Sequence, residues 1–180
     1  MSALPMRYLV VAAAVATILT FGAVLGASAS NGGNRQDDLA AVRSAVAGFH
    51  SVDAAEDAGW GLIPGLDSCF HSDEGGMGIH YINTELLDTS LDPLQPEALV
   101  YQHLPNGELH LGAVEYIVPA AAWDAENHGH APMVLGKHLH LNQTLGVYVL
   151  HAWIFKHNPA EDGMFQDWNP NVSCPNLTAD

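Results

Sequence analysis

The stretch that decides the fold is ALVYQHLPNGELHLGAVEYIVP, residues 98–119, which has the pattern of a β-hairpin. Asn106-Gly107 predicts the turn, because both central positions of a type I′ turn need a positive φ. With that two-residue turn, His103 is expected to face His110 across the hairpin.

Side chains alternate between the two faces of a strand, so Ala98 should face Glu115 in the same hairpin. The face that carries Glu115 is apolar except for Gln102 and Glu115 itself; its other members are Ala98, Val100, Leu104, Leu109, Leu111, Ala113 and Ile117. An acid on the core face of a strand is costly unless it is paired, hydrogen-bonded, protonated or bound to a metal. Glu115 is therefore the first candidate functional residue.

The rest of the chain adds a helical pattern and further strands. Apolar residues recur at spacings of three and four from Leu39, which predicts one long helix over residues 38–58, or two helices joined near Ser51. We expect strands at residues 77–83, 136–141 and 147–157 and irregular segments at residues 60–76, 85–96 and 120–133. This order favours an α+β fold, with the N-terminal long helix packed on a curled antiparallel sheet or partly closed β-barrel of about five strands. An all-β sandwich with an accessory helix is the alternative.

The N-terminal segment, residues 1–29, has the pattern of a secretory signal peptide. Arg7 precedes an uncharged, largely apolar run, and Ala27-Ser28-Ala29 is typical of a cleavage site. The alternative is an uncleaved membrane anchor, since the apolar run is long enough to span a bilayer. We expect cleavage near Ala29, then a flexible polar leader at residues 30–36 and a single domain at residues 37–180, located in the periplasm or outside the cell.

The chain has two cysteines, Cys69 and Cys174. In an oxidising compartment two cysteines usually form one disulfide bond, and no Cys-x-x-Cys spacing favours a thiolate metal site. We predict a Cys69–Cys174 disulfide that connects the C-terminal tail to the segment after the first helix.

The composition is strongly acidic, with 20 acidic and 5 basic residues and a formal net charge of −15. Such a surface repels nucleic acid and anionic membranes, so we expect neither as a partner of the mature chain. It attracts cations, and histidine, which occurs 11 times, is the commonest side-chain ligand of zinc and copper. The composition thus favours a metal ion as a partner.

Three polar residues lie in strands that otherwise have core patterns: His80, Glu115 and His151. Two imidazoles and one carboxylate are the ligand types of a zinc, iron or copper site. The alternative is a buried hydrogen-bond network in which Glu115 accepts from a protonated histidine or from Tyr81. A third outcome is that the three residues never meet, since no motif encodes their convergence.

A second set of histidines is a secondary metal candidate. His103 and His110 are predicted as cross-strand partners, and His138 and His140 as neighbours on one side of a strand. The alternative is a solvated, histidine-rich edge.

Catalytic sites that have a local sequence motif are excluded, because the chain has no Gly-x-Ser-x-Gly, His-Glu-x-x-His, phosphate-binding glycine loop or dinucleotide fingerprint.

Four segments carry a resemblance to a known family: GMGIHYIN, ALVYQHLPNGELHLGAVEYIVP, LHAWIF-x-x-NP and F-x-x-WNPNVSC. Over most of residues 49–174 the chain resembles a family of small secreted bacterial proteins of unassigned function. The resemblance implies secretion and a single domain, and it implies no reaction.

Two functions follow as hypotheses. The first is a secreted domain that binds a divalent metal (zinc, copper or iron) through His80, Glu115 and His151, with a mononuclear metalloenzyme as one form of it. The second is a non-enzymatic small-ligand-binding or homo-oligomeric structural protein in which these residues form internal hydrogen bonds.

Overall fold

The structure is a computed structural model that describes the backbone of residues 31–174 and the side chains of residues 35–174. The predicted signal peptide lies outside the described residues. Residues 31–174 contain three α-helices: α1 (Asn31–Val46), α2 (Val52–Asp57) and α3 (Ala120–Asn127). The same described part of the chain contains eight strands: β1 (Phe70–Ser72), β2 (Gly75–Ile82), β3 (Ala98–His103), β4 (Leu109–Pro119), β5 (Met133–Val134), β6 (Lys137–His138), β7 (His140–Asn142) and β8 (Val147–Ala152).

Six of the strands form one curled antiparallel sheet in the order β1-β2-β3-β4-β8-β7, and β5 and β6 form a separate two-stranded ribbon. The N-terminal helix packs on one face of this curled sheet, which confirms the predicted α+β fold. The sheet has six strands where about five were expected, because residues Phe70–Ser72, in a segment expected to be irregular, form the additional edge strand β1.

The helical segment divides at Ser51, which is the second of the two alternatives that the sequence left open. Residues Ala47–His50 form a 3₁₀ turn, and the Ser51 side chain accepts a hydrogen bond from the Ala54 N–H at the start of α2. The first helix begins at Asn31, so most of the segment predicted as a leader belongs to α1. Its apolar residues Leu39, Val42 and Val46 are buried against the sheet.

The hairpin of β3 and β4 closes through a three-residue loop and not through the predicted two-residue turn. The Leu104 N–H donates to the Glu108 carbonyl at 2.8 Å, and of the three loop residues only Gly107 has a positive φ, 86°. Three-residue hairpin loops commonly end in such a left-handed glycine. The extra loop residue makes His110 face Gln102, so the predicted pairing of His103 with His110 is wrong.

A β-bulge in β4 then restores the predicted register. Tyr101 faces Leu111, but the next residue of β3, Val100, faces Ala113, which leaves Gly112 as the extra residue. Beyond this bulge Ala98 faces Glu115, as predicted.

The bulge also decides which side chains share a face with Glu115. Leu111 packs in the core on the helix side, whereas Ala113 packs on the opposite side of the sheet. Because an extra residue reverses the alternation of side chains, Leu109 and Leu111 lie on the helix side. Their predicted placement beside Glu115 is therefore wrong.

Further segments differ from the sequence prediction, and the last strand ends at Ala152, where it was expected to reach residue 157. Residues 120–127, expected to be irregular, form α3, and the single strand expected at residues 136–141 is divided between β6 and β7. Leu139 separates them and is buried in the core. Within residues 31–174, no helix combines the length and the apolar character that crossing a bilayer requires.

The C-terminal tail is fastened across the sheet near β1 and β2. Cys69 and Cys174 form the predicted disulfide. The Gly76 N–H donates to the Val172 carbonyl at 2.9 Å, and a Cβ atom at Gly76 would lie 2.7 Å from that oxygen. Only glycine allows the tail to approach so closely, and the tail places residues 167 and 168 against the concave face.

Candidate metal centre

Three central strands bring His80, Glu115 and His151 to the concave face of the sheet, opposite the helix. His80 lies on β2, Glu115 on β4 and His151 on β8, and Glu115 and His151 are direct cross-strand partners. Strand β3 separates β2 from β4, and it presents only the short side chains of Ala98 and Val100 at this level. The imidazole of His80 can therefore extend across β3 to the other two side chains.

The three side chains converge in the interior. Nε2 of His80 lies 3.1 Å from Nε2 of His151 and 3.4 Å from Oε2 of Glu115. One ligand atom from each residue lies within 4.8 Å of the others, and all three residues are buried. Among the side chains of residues 35–174, this is the only such group of histidine, cysteine and acidic residues.

These distances have the scale of a metal coordination sphere. With metal–ligand bonds of about 2.0–2.1 Å in a tetrahedron, neighbouring ligand atoms are about 3.3–3.4 Å apart. The observed 3.1 and 3.4 Å contacts bracket that value. The Glu115 contacts with His80 and His151, at 3.4 and 3.8 Å, are long for a charge-assisted hydrogen bond, which is about 2.7–2.9 Å.

A second carboxylate, Asp167, joins the centre from the C-terminal tail. Its Oδ1 lies 3.2 Å from Nδ1 of His151, and its Oδ2 lies 3.0 Å from Nε2 of His140. A carboxylate that accepts from one ring nitrogen of a histidine fixes the ring and leaves the other nitrogen free to ligate a metal. Asp167 was missed in the sequence, where its one signal is its position directly before the Trp168-Asn169-Pro170 segment of the tail.

Burial and neighbouring charges shift the pKa values of His80 and His151 in opposite directions. Burial, together with the nearby imidazole of His151, lowers the pKa of His80 to about 3. Burial also opposes charge on His151, but the combined attraction of Glu115 and Asp167 outweighs it and raises the pKa of His151. His80 is therefore neutral near pH 7, and neutral imidazole is the form that binds metals.

The pKa values of the two acids, Glu115 and Asp167, also shift in opposite directions. Burial raises the pKa of Glu115, and attraction to His151 only partly offsets this. Burial also disfavours the Asp167 carboxylate, but its hydrogen bonds from His140 and His151 outweigh that cost and hold the pKa of Asp167 well below its usual range. The hydrogen bond between Asp167 and His140 has the opposite effect on its other partner and raises the pKa of His140. A buried carboxylate with a raised pKa gains from a nearby cation, which favours its charged form.

The centre lies in the wall of a cavity of about 490 Å³ on the concave face. Apolar side chains from strands and loops form most of the lining, and none of its residues is lysine or arginine. The polar side chains His80, Glu115, His151 and Asp167 are gathered at one part of the wall. Volumes of 300–1,000 Å³ with few convergent polar groups are typical of small-molecule sites.

The other predicted site residues are dispersed. Tyr81 packs in an edge-to-face contact with Tyr101 in the core on the helix side, with ring centroids 5.0 Å apart, so it is not a partner of Glu115. His103 faces Leu109, and the ring of His110 lies 5.0 Å from that of His50.

The prediction that His138 and His140 lie on one side of the same strand is also wrong. His138 pairs with Met133 in the two-stranded ribbon, whereas His140 pairs with Val149 at the edge of the large sheet. A residue between them belongs to neither strand, so they do not share one face of one strand. Of these four histidines, only His140 reaches the candidate metal centre, through Asp167.

Searches with protein-family models, of curated proteins and of solved structures find no match to this chain, so the case for its function comes from its own residues.

Proposed function

We propose that the protein is an extracytoplasmic domain that binds one divalent metal ion through His80, Glu115 and His151. The observation that carries the proposal is the convergence of two imidazole nitrogens and one carboxylate within 4.8 Å in a buried site. Zinc, copper and iron all accept this ligand set. When bound, such an ion keeps coordination positions for water or a small ligand and acts there as a Lewis acid.

The disulfide and the N-terminal sequence support the location. A disulfide such as Cys69–Cys174 is typical of an oxidising compartment, and residues 1–29 have the pattern of a cleaved secretory signal. The formal charge of −15 argues against nucleic acid and anionic membranes as partners. A metal ion or small ligand and a second copy of the chain remain the proposed partners.

A structural network is the second candidate, and one observation favours it. His80, His151, Asp167 and His140 form a chain of contacts at 3.1, 3.2 and 3.0 Å, each within hydrogen-bond distance. Such a chain could fix the position of the tail on the sheet without any metal. Glu115 distinguishes the two candidates, because its contacts of 3.4 and 3.8 Å are too long for good hydrogen bonds in that network.

Metal titration tests the proposal. Protein stripped with a chelator should take up one Zn²⁺ per chain in isothermal titration calorimetry, and the same experiment with Cu²⁺ and Fe²⁺ ranks the three ions. His80→Gln should abolish tight binding, because it removes a nitrogen ligand from the buried site. The absence of stoichiometric binding by any of the three ions would refute the proposal and favour the network.

Histidines away from the centre provide the matched control. His103→Gln removes a half-buried imidazole on β3 that is not part of the centre and should leave the metal affinity unchanged. Loss of metal in a variant with glutamine at His103, His110 and His138, with His80 intact, would instead assign the site to the histidine-rich surface.

A further inference from the structure

The cavity continues from the metal centre along the neighbouring strands β4 and β8. Glu115 faces His151, Ile117 then faces Val149, and Pro119 faces Val147, so each step of two residues away from the centre replaces polar by apolar side chains. A strand rises about 3.4 Å per residue, so Val147 lies about 14 Å from His151 along β8. The cavity is therefore long, with a polar end at the centre and a largely apolar end near Val147, where Asn142 and Thr144 are the polar lining residues.

Loops cover the apolar part of the cavity. Ile63, Leu66 and Leu87 are partly buried and pack against the strand residues there, and they line the same cavity. Thr144 and Leu145, in the turn between β7 and β8, also line it and are exposed, with Leu145 at 52% of its full exposure. The apolar end thus meets solvent near this turn, and a ligand could enter there.

We propose that the cavity binds a linear amphiphile, with an alkyl tail along the apolar end and one anionic oxygen head group on the metal ion. This inference rests on the metal-binding function proposed above. The tail would remove both its own surface and the apolar lining from water, which is favourable in proportion to the area buried.

The charges of the lining explain why the head group needs the metal. The acids Glu115 and Asp167 line the cavity, and no lysine or arginine among its lining residues could pair with an anion. A bound divalent cation exceeds the single charge of Glu115, while Asp167 is already engaged by His140 and His151. An anionic oxygen is then attracted when the ion is present and repelled when it is absent.

Calorimetry with decanoate and hexanoate tests this inference on the wild-type chain, with and without bound Zn²⁺. We expect decanoate to bind the Zn²⁺-loaded protein and to lose at least tenfold in affinity after chelator treatment. Each methylene that becomes buried should raise the affinity about fourfold, so hexanoate should bind about 200-fold more weakly than decanoate.

The possible failures are distinguishable. If Zn²⁺ binds and decanoate does not, the inference is overturned and the metal-binding function stands. Equal decanoate binding with and without Zn²⁺ would overturn the assignment of the head group to the metal. If Zn²⁺ itself does not bind, the proposed function and the inference fail together.

Two tryptophan variants locate the tail. Leu87→Trp adds a bulky ring to the loop that covers the apolar end and should weaken decanoate binding more than tenfold without changing Zn²⁺ affinity. Met133→Trp makes the matched change at an exposed position that does not line the cavity and should leave both affinities unchanged. Wild-type decanoate affinity in Leu87→Trp would show that the tail lies elsewhere.

Discussion

Replacement of Glu115 by glutamine distinguishes whether this residue is a metal ligand or the acid of a structural ion pair. Glu115 is 6% exposed, and its carboxylate lies 3.4 Å from Nε2 of His80. Glutamine keeps the shape and removes the charge. Because burial raises the pKa of Glu115, the metal-free variant should be as stable as the wild type or more stable.

The effect on the metal-bound protein follows from linkage between binding and folding. At a free metal concentration of 100 times Kd, binding adds about 2.7 kcal/mol to the free energy of unfolding. If Glu115→Gln weakens binding 10-fold to 100-fold, the same concentration adds only about 1.4 or 0.4 kcal/mol. For a domain of this size 1 kcal/mol corresponds to about 2–4 °C in Tm, so the metal-induced shift should fall from about 5–10 °C to about 3–6 °C for a 10-fold loss of affinity and to about 1–2 °C for a 100-fold loss.

Thermal unfolding of both proteins, each with chelator and with Zn²⁺, measures this difference. Glu97→Gln is the control, because Glu97 is also buried, at 2% exposure, but its carboxylate accepts from the Ile117 N–H and is not part of the centre. If Glu115 instead belongs to a structural ion pair, Glu115→Gln should lose about 3–5 kcal/mol of stability with or without chelator. Equal Zn²⁺-induced shifts in wild type and Glu115→Gln would refute the reasoning that Glu115 is a ligand.

Three further predictions concern the parts that surround the centre. Cys69→Ser or Cys174→Ser should lower the free energy of unfolding by about 2–5 kcal/mol in denaturant titrations; wild-type stability in both would contradict a stabilising disulfide. Asp167→Asn should weaken Zn²⁺ binding about 10-fold to 100-fold in calorimetry, because His151 loses the carboxylate that orients its ring; unchanged affinity would exclude that role. Burial raises the pKa of Glu97 to about 7 from an ordinary value of 4.5, so the folded state holds this proton where the unfolded state has released it. The stability of the wild type should therefore fall by about 3 kcal/mol relative to Glu97→Gln as pH rises from 4.5 to 7, and parallel pH profiles of the two proteins would disprove the shift.

Local patterns in the sequence predict the α+β class, a helical segment that is either one long helix or two helices joined near Ser51, and the anomaly of an acid within an apolar strand. These features depend on neighbouring residues, because helical and strand periodicities act over a few positions. The disulfide was also predictable, since two cysteines leave only one pairing within the chain. The signal peptide and the family resemblance stay predictions, because no described residue or comparison tests them.

Only the tertiary structure determined which side chains lie beside Glu115. The sequence marks His80, Glu115 and His151 as polar residues in apolar strands, but their convergence needs the curl of the sheet and the short side chains of β3 between them. The faces of β4 depend on the Gly112 bulge, an insertion in the ladder that has no period to reveal it. Asp167 reaches the centre only because the disulfide-linked tail packs back on the sheet, and contacts between residues distant in the chain leave no local pattern in the sequence.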